Sequence, residues 1–263
     1  MDNRPIGIFD SGIGGTSIWK EIHKLLPNEG TIYLADSANA PYGVRSPEEI
    51  LQLSVKNTEL LIAKNCKIIV VACNTATTNA VKYLRGAYAG ISFVGIEPAI
   101  KPAALQSNSK IVGVLATKGT LSSSLFHSTS KSHGEGIKII EKEGLGLVPL
   151  IEAGKASSNE TKELLKKILE PMLVANIDYL VLGCTHYPYL IPVLKELLPS
   201  NITIIDSGEA VAKQTKAILL KEELLNSSQN TARHQFYTNA DVSILATFLS
   251  DVESVLRIEY LKF

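Results

Sequence analysis

Ile68-Ile69-Val70-Val71-Ala72-Cys73-Asn74-Thr75 is the stretch whose reading decides the fold. It opens with an unbroken apolar run, rich in β-branched residues and of strand length, and closes on a thiol, an amide and a hydroxyl. Continuous rather than alternating apolar character belongs to a strand covered on both faces, as in a parallel sheet. Runs of the same kind recur at residues 6–9, 31–34, 93–96, 111–115, 179–182 and 202–205, most of them ending in small or polar residues. Helical patterns fill the intervals. Ser46-Pro47-Glu48-Glu49 supplies a capping serine, a proline at the first helical position and a glutamate three residues after the serine. Ile18, Ile22 and Leu25 form one apolar stripe, and Leu190, Leu194 and Leu197 another. Strand and helix alternate, which predicts an α/β fold of largely parallel sheets flanked by helices.

The chain repeats itself. Val112-Gly113-Val114-Leu115-Ala116-Thr117 echoes Ile6-Gly7-Ile8-Phe9-Asp10-Ser11, and Leu180-Val181-Leu182-Gly183-Cys184-Thr185 echoes Ile69-Val70-Val71-Ala72-Cys73-Asn74. Two similar lobes are expected. The second echo carries chemistry as well as hydropathy, because each of its strands ends in a cysteine followed by polar residues.

Composition narrows the function. The 263 residues hold 26 basic and 26 acidic side chains, a formal charge of zero with pI near 7.0, so no broad basic face is available to grip nucleic acid. Hydrophobic residues make up 45% of the chain and the mean hydropathy is +0.14, enough apolar material for a folded core. The three cysteines, Cys66, Cys73 and Cys184, are odd in number and mostly far apart, unlike a disulfide framework, and the cytoplasm is the expected compartment. Asp2-Asn3-Arg4-Pro5 leads directly into a short strand pattern that meets Asp10, too brief for a signal peptide. No apolar run approaches the roughly 20 residues of a membrane-spanning helix.

In open α/β sheets ligands bind beyond the carboxyl ends of the strands. Four polar clusters fall there: Asp10-Ser11-Gly12, Asp36-Ser37, Cys73-Asn74-Thr75 and Cys184-Thr185-His186. Ser11, Asn74, Thr75 and Thr185 can donate hydrogen bonds to an anionic ligand, and they can equally cap the helices that follow. The glycine-rich Asp10-Ser11-Gly12-Ile13-Gly14-Gly15-Thr16-Ser17 fits no nucleotide motif: Ser17 stands where a dinucleotide fingerprint needs glycine, and no lysine precedes a serine or threonine as in a P-loop. Asp10 would repel phosphate and better suits an ammonium group or a proton. Cys184 and His186 lack the second ligand pair of a zinc site, so no metal is expected.

Cys184 beside His186 has the form of a nucleophile and its base, as in a thiol hydrolase, but that reading leaves Cys73 without a role. Two cysteines flanking one ligand, should the lobes face each other, suit the inversion of a stereocentre. One group removes a proton from one face of a carbon while the other returns a proton to the opposite face. A free thiol titrates near 8.5, and nearby histidine, helix amides or cations lower that value, so one cysteine can be thiolate while its partner is thiol.

Seven motifs in order extend the pattern: Phe9-Asp10-Ser11-Gly12-Ile13-Gly14-Gly15; Ala35-Asp36-Ser37 with Ala40-Pro41-Tyr42-Gly43; Ala72-Cys73-Asn74-Thr75-Ala76; Ile96-Glu97-Pro98; Val148-Pro149-Leu150-Ile151-Glu152; Leu182-Gly183-Cys184-Thr185-His186-Tyr187-Pro188; and Asp206-Ser207-Gly208. In these the chain resembles the bacterial glutamate racemases of the cofactor-independent aspartate/glutamate racemase superfamily. The resemblance implies interconversion of L- and D-glutamate without a cofactor, supplying D-glutamate for peptidoglycan. It implies that Cys73 takes the α-proton from D-glutamate and Cys184 from L-glutamate. Asp10 would assist Cys73, and His186 would assist Cys184, with Glu152 near that histidine. Substrate contacts would come from Asp10, Ser11, Tyr42, Gly43, Asn74, Thr75, Thr117, Thr185 and His186. It further implies a first lobe of residues 1–97 plus 207–263, a second of 98–206, an active site in the cleft between them, and a homodimer. Ala99 stands where the family often has glycine, Gly144-Leu145 where it often has Cys-Pro, and Thr16 and Trp19 near positions that are commonly aliphatic. The competing readings are a racemase or isomerase of aspartate or another small acid, the Cys184–His186 hydrolase, and a non-catalytic binding protein of two lobes.

Overall fold

The computed structural model describes residues 2–133, 136–226, 232–254 and 256–263. Its ten strands are β1 (Ile6–Asp10), β2 (Thr31–Ala35), β3 (Ile68–Val71), β4 (Ser92–Gly95), β5 (Ile111–Ala116), β6 (Lys138–Glu143), β7 (Tyr179–Gly183), β8 (Thr203–Ile205), β9 (His234–Thr238) and β10 (Leu256–Tyr260). They divide between two compact units, one of residues Met1–Ile96 with Gly208–Phe263, the other of Glu97–Ser207.

The first unit is a six-stranded sheet in the order β10-β9-β2-β1-β3-β4, and the second a four-stranded sheet in the order β6-β5-β7-β8. Every strand pairing is parallel. The run β2-β1-β3-β4 has the same order as β6-β5-β7-β8, so the echoed pairs, β1 with β5 and β3 with β7, occupy equivalent places. In each unit the chain leaves the inner strand β1 or β5 toward one side and later returns to its other side. This reversal of strand order opens a crevice at the carboxyl ends, where ligands of α/β sheets bind.

Burial explains which runs were conspicuous. Every residue of β1, β2 and β3 is buried, as continuous apolar strands under helices on both faces should be. Trp19, Ile18 and Ile22 bury the inner face of helix Thr16–Leu25. Helix Pro47–Ala63 begins at the anticipated box: Glu49 N–H donates to Ser46 Oγ at 3.2 Å, and Ser46 N–H donates to the Glu49 carboxylate at 3.0 Å. Each fully buried isoleucine or phenylalanine contributes roughly 1.5–3 kcal/mol by leaving water. Two clusters of such side chains carry the cores, one around Phe9, Leu34, Ile69 and Val71, the other around Val112, Val114, Phe126 and Val181. No helix among the described residues is long and apolar enough to cross a membrane.

Candidate active site

The anticipated residues stand at carboxyl ends of strands in both units, or in the turns that follow. In the first unit Asp10 ends β1, Ser11 follows it, Cys73 lies two residues past β3, and Asn74 and Thr75 open helix Asn74–Ala87. Asp10 is fully buried and Gly15 N–H donates to its carboxylate at 2.7 Å. Glycine is required there, because a Cβ at Gly15 would lie 2.7 Å from both Asp10 Cβ and the Tyr33 hydroxyl. Ser11 Oγ donates to the other Asp10 oxygen at a long 3.5 Å, and the Cys73 thiol donates to Ser11 Oγ at 3.7 Å. Thiol, hydroxyl and carboxylate thus form one donor chain. Cys73 also caps its helix, accepting from Ala76 N–H at 3.4 Å, and an N–H aimed at sulfur from a helix N-terminus favours negative charge there.

Asn74 is 3% exposed, and neither its amide nitrogen nor its oxygen has a hydrogen-bond partner. Buried amides are normally satisfied, so this one is set for a ligand with both acceptor and donor groups. Tyr42 and Gly43 lie in the short 3₁₀ turn Tyr42–Val44. The Tyr42 ring is buried and its hydroxyl is already engaged, donating to Asp36 at 2.5 Å and accepting from Asn57 at 3.1 Å. Burial and the adjacent Asp36 and Cys73 charges raise the phenol far above its ordinary range. What this turn has left to offer a ligand is its main chain.

In the second unit Cys184 and Thr185 follow β7, with His186 beside them, all three buried. His186 Nδ1 stands 3.8 Å from Cys184 Sγ, and its Nε2 is 2.6 Å from Glu152 Oε1. Burial alone would lower the imidazole pKa. The bonds to Cys184 and Glu152 outweigh it and hold the value well above 6.5. A protonated His186 donates from both nitrogens, to sulfur on one side and carboxylate on the other. Glu152 ends the short helix Leu147–Glu152. Thr117 caps the turn after β5, its Oγ accepting from Thr120 N–H at 3.3 Å.

Tyr187, fully buried, contacts the Gly144-Leu145 segment where the chain departs from the common pattern. Its hydroxyl points at the Gly144 carbonyl at 3.4 Å, and a Cβ on residue 144 would stand 2.2 Å from that oxygen. Glycine at 144 therefore makes room for the Tyr187 ring in its observed position.

The three cysteines are all buried, and none is in a disulfide. Burial pushes the Cys66 thiol up to about 12, and it packs in the core with Leu61 and Ile69, away from the polar strand ends. Among the described residues no group of three or more His, Cys, Asp and Glu is placed to hold a metal ion. Sequence reading quoted Asp36 without assigning it a part, and it missed Asn57 and Asn239, which stand behind Tyr42. An asparagine amid the apolar residues of helix Pro47–Ala63 was the available signal for Asn57; Asn239 offered none.

Comparison with known proteins places the chain in a family. A family model described as Asp/Glu/hydantoin racemase matches residues 6–215. Glutamate racemase of Ectopseudomonas mendocina is 44% identical over 245 residues, 93% of each chain. Among solved structures, glutamate racemase of Francisella tularensis in complex with D-glutamate superposes with a TM-score of 0.85 at 30% identity, covering 100% of this chain and 98% of that one. Escherichia coli glutamate racemase, in complex with L-glutamate and an activator, gives 0.84 at 33% identity, covering 98% and 100%. The chain is an enzyme of the Asp/Glu/hydantoin racemase family and belongs among its glutamate racemases.

Proposed function

We propose that this racemase interconverts L- and D-glutamate without a cofactor, using Cys73 and Cys184 as paired acid and base on opposite faces of the α-carbon. The observation that carries the reading is a pair of buried cysteines outside any disulfide, each beyond an equivalent strand of a repeated sheet and each with its own proton-handling partners. In the D-to-L direction Cys73 thiolate takes the α-proton and becomes thiol, while Cys184 thiol gives its proton to the other face and becomes thiolate. The L-to-D direction exchanges the roles. One proton is removed and one supplied, so no redox partner is needed.

Each thiol must be reset between turnovers. Ser11 and Asp10 offer Cys73 a path along which its new proton can leave. His186, kept protonated beside Glu152, holds a proton next to Cys184 and balances the thiolate there. The α-hydrogen of an amino acid is weakly acidic, and neutralising the substrate carboxylate by fixed donors helps it leave. Asn74, with its unpartnered buried amide, Thr75 and Thr185 are assigned to this, with Ser11, Thr117 and the Tyr42-Gly43 turn completing the contacts. The enzyme acts in the cytoplasm as a homodimer and provides D-glutamate for peptidoglycan.

The test is incubation of purified protein with L-glutamate in deuterium oxide under reducing conditions, with no cofactor added. Optical rotation should decay to zero while deuterium enters the α-position. Absence of both would sink the proposal.

A further inference from the structure

Asp36 is a buried carboxylate, 2% exposed, with no cation paired to it among the described residues. Neutral donors carry its charge instead. Tyr42 hydroxyl donates to Oδ2 at 2.5 Å, and Oδ1 accepts from Asn39 Nδ2 at 2.8 Å and from Asn239 Nδ2 at 2.5 Å. Asn239 comes from the far end of the chain, just past β9, the strand that pairs with β2. It is fastened on every side: its N–H donates to Ala35 O at 3.4 Å, its Oδ1 accepts from Ala38 N–H at 2.8 Å, and its Nδ2 also reaches the Phe263 carbonyl at 3.3 Å.

We propose that Asn239 is a positioning residue for the Cys73 half of the reaction, holding the Tyr42-Gly43 turn in place through Asp36. This rests on the racemase reading above and assigns a role in it to the C-terminal segment.

Three observations link the clamp to the thiol. Tyr42 packs in one core cluster with Phe9, Val71, Cys73 and Ala76, so movement of its ring moves the packing around Cys73. The Tyr42 phenol also lies within the electrostatic reach of Cys73. Asp36 N–H, moreover, donates to Asp10 O at 3.0 Å, which ties the same anchor to the carboxylate at the end of the Cys73 donor chain. Removing the Asn239 amide takes one of three donors from a buried anion. The carboxylate must then tilt to seek another donor, and Tyr42, its only partner on Oδ2 among the described residues, follows it.

Steady-state racemisation by Asn239→Ala and Asn239→Asp, in both directions, tests this beside the unaltered enzyme. If the unaltered enzyme fails to racemise glutamate, the functional reading is what fails; the positioning role is judged only against an active parent. Asn239→Ala should raise KM for both enantiomers about tenfold, the change one charge-assisted hydrogen bond supports, with kcat altered less than KM. Asn239→Asp keeps the acceptor for Ala38 N–H but sets a second carboxylate against Asp36. Its KM should therefore improve as pH falls from 8.5 to 6, where the pair shares a proton and one carboxyl again donates to the other. Asn239→Ala should lack that slope. Should the alanine variant fail to fold, the aspartate variant at pH 6 still tests the role. Unchanged KM in a folded variant, or an aspartate variant whose KM is flat with pH, would overturn the proposal. So would a lower melting temperature with no change in KM, because that is the signature of a purely structural contact.

Discussion

The two thiols sit at equivalent strand ends in unlike surroundings. Cys73 is next to a hydroxyl that leads to a buried carboxylate, and its sulfur accepts an N–H from the helix it caps. Cys184 is next to an imidazole whose pKa is raised by its bonds to Cys184 itself and to the Glu152 carboxylate. The first arrangement can take a proton away from sulfur; the second keeps a cation and a spare proton beside it. The two sheets supply similar frames, and their different loops surround the two thiols with different groups. On the proposed mechanism, an enzyme that must treat mirror-image substrates almost alike would do so with chemically unlike halves, and that difference can be tested by disabling them one at a time.

Replacing either thiol carries the largest effect. Cys73→Ala and Cys184→Ala should each lower racemisation in both directions by on the order of a thousandfold or more, since the proposed mechanism uses both bases in every turnover. Isotope exchange should divide them. The variant lacking Cys73 keeps the base for L-glutamate and should exchange the α-hydrogen of that enantiomer alone, and the variant lacking Cys184 should exchange D-glutamate alone. Exchange of both enantiomers by either variant would break the assignment of one thiol to one face.

Smaller losses should be directional. His186→Asn removes the cation beside Cys184 and should slow the L-to-D direction, where Cys184 must be thiolate, by about a hundredfold. Ser11→Ala interrupts the path from Cys73 toward Asp10 and should slow the D-to-L direction by about tenfold. Initial rates of both variants at saturating substrate, followed polarimetrically in each direction, give the comparison, since enantiomers at an equilibrium constant of one force kcat/KM to fall alike in both directions, and equal losses of kcat would remove the asymmetry. The pH profile adds a sign. His186 titrates above its ordinary value, so its charge, and the stability drawn from its two partners, are fully present below about 6.5 and are lost as pH rises through the elevated value. In the unaltered enzyme the L-to-D rate should fall on the alkaline side, and His186→Asn should lack that limb.

The same contrast separates what the sequence made legible from what it hid. Strands such as β1, β3 and β7 announce themselves because covering both faces requires unbroken apolar runs. β6, β9 and β10 do not: Lys138–Glu143 is a half-exposed edge strand, His234–Thr238 alternates buried with partly buried residues, and Leu256–Tyr260 lies at the other sheet's edge. At the site, strand-end position and residue chemistry pointed to Cys73, Cys184, Asp10 and His186, because thiols and charged groups at such places have few structural uses. Asn239 was invisible, since its place beside Asp36 depends on the pairing of β9 with β2 from opposite ends of the chain. Nor could residue identity tell that Tyr42 turns its hydroxyl inward to Asp36.

A second histidine setting shows how far surroundings, rather than residue type, decide the behaviour of a ring. Trp19 stacks on His23 with centroids 5.0 Å apart, and His23 meets His234 edge-on at 4.7 Å. Among the described residues no carboxylate takes part: Trp19 Nε1–H donates to Thr31 Oγ, Thr31 Oγ stands 2.9 Å from His234 Nδ1, and His23 Nε2 bonds Ser254. With the indole already donating to Thr31, the hydroxyl proton is best used on His234 Nδ1, which fixes that nitrogen as an acceptor. Protonating it would set two N–H donors against one hydroxyl. Burial and the His23 charge push His234 down to about 4, the reverse of His186. The sign of its effect on stability is reversed as well. An unfolded chain binds this proton below about 6.5 while the folded chain refuses it until about 4, so stability is lost as pH falls through that window and no further below it. The loss is on the order of 2 kcal/mol after allowance for solvent screening. Urea melts of the unaltered protein and of His234→Gln at pH 7 and pH 4.5 measure it: the gap between the two pH values should shrink in the variant, while racemisation at pH 8 stays within about twofold of the parent because neither thiol is touched. A variant that kept the full acid sensitivity would place its origin elsewhere, with the carboxylates at the strand ends next in line.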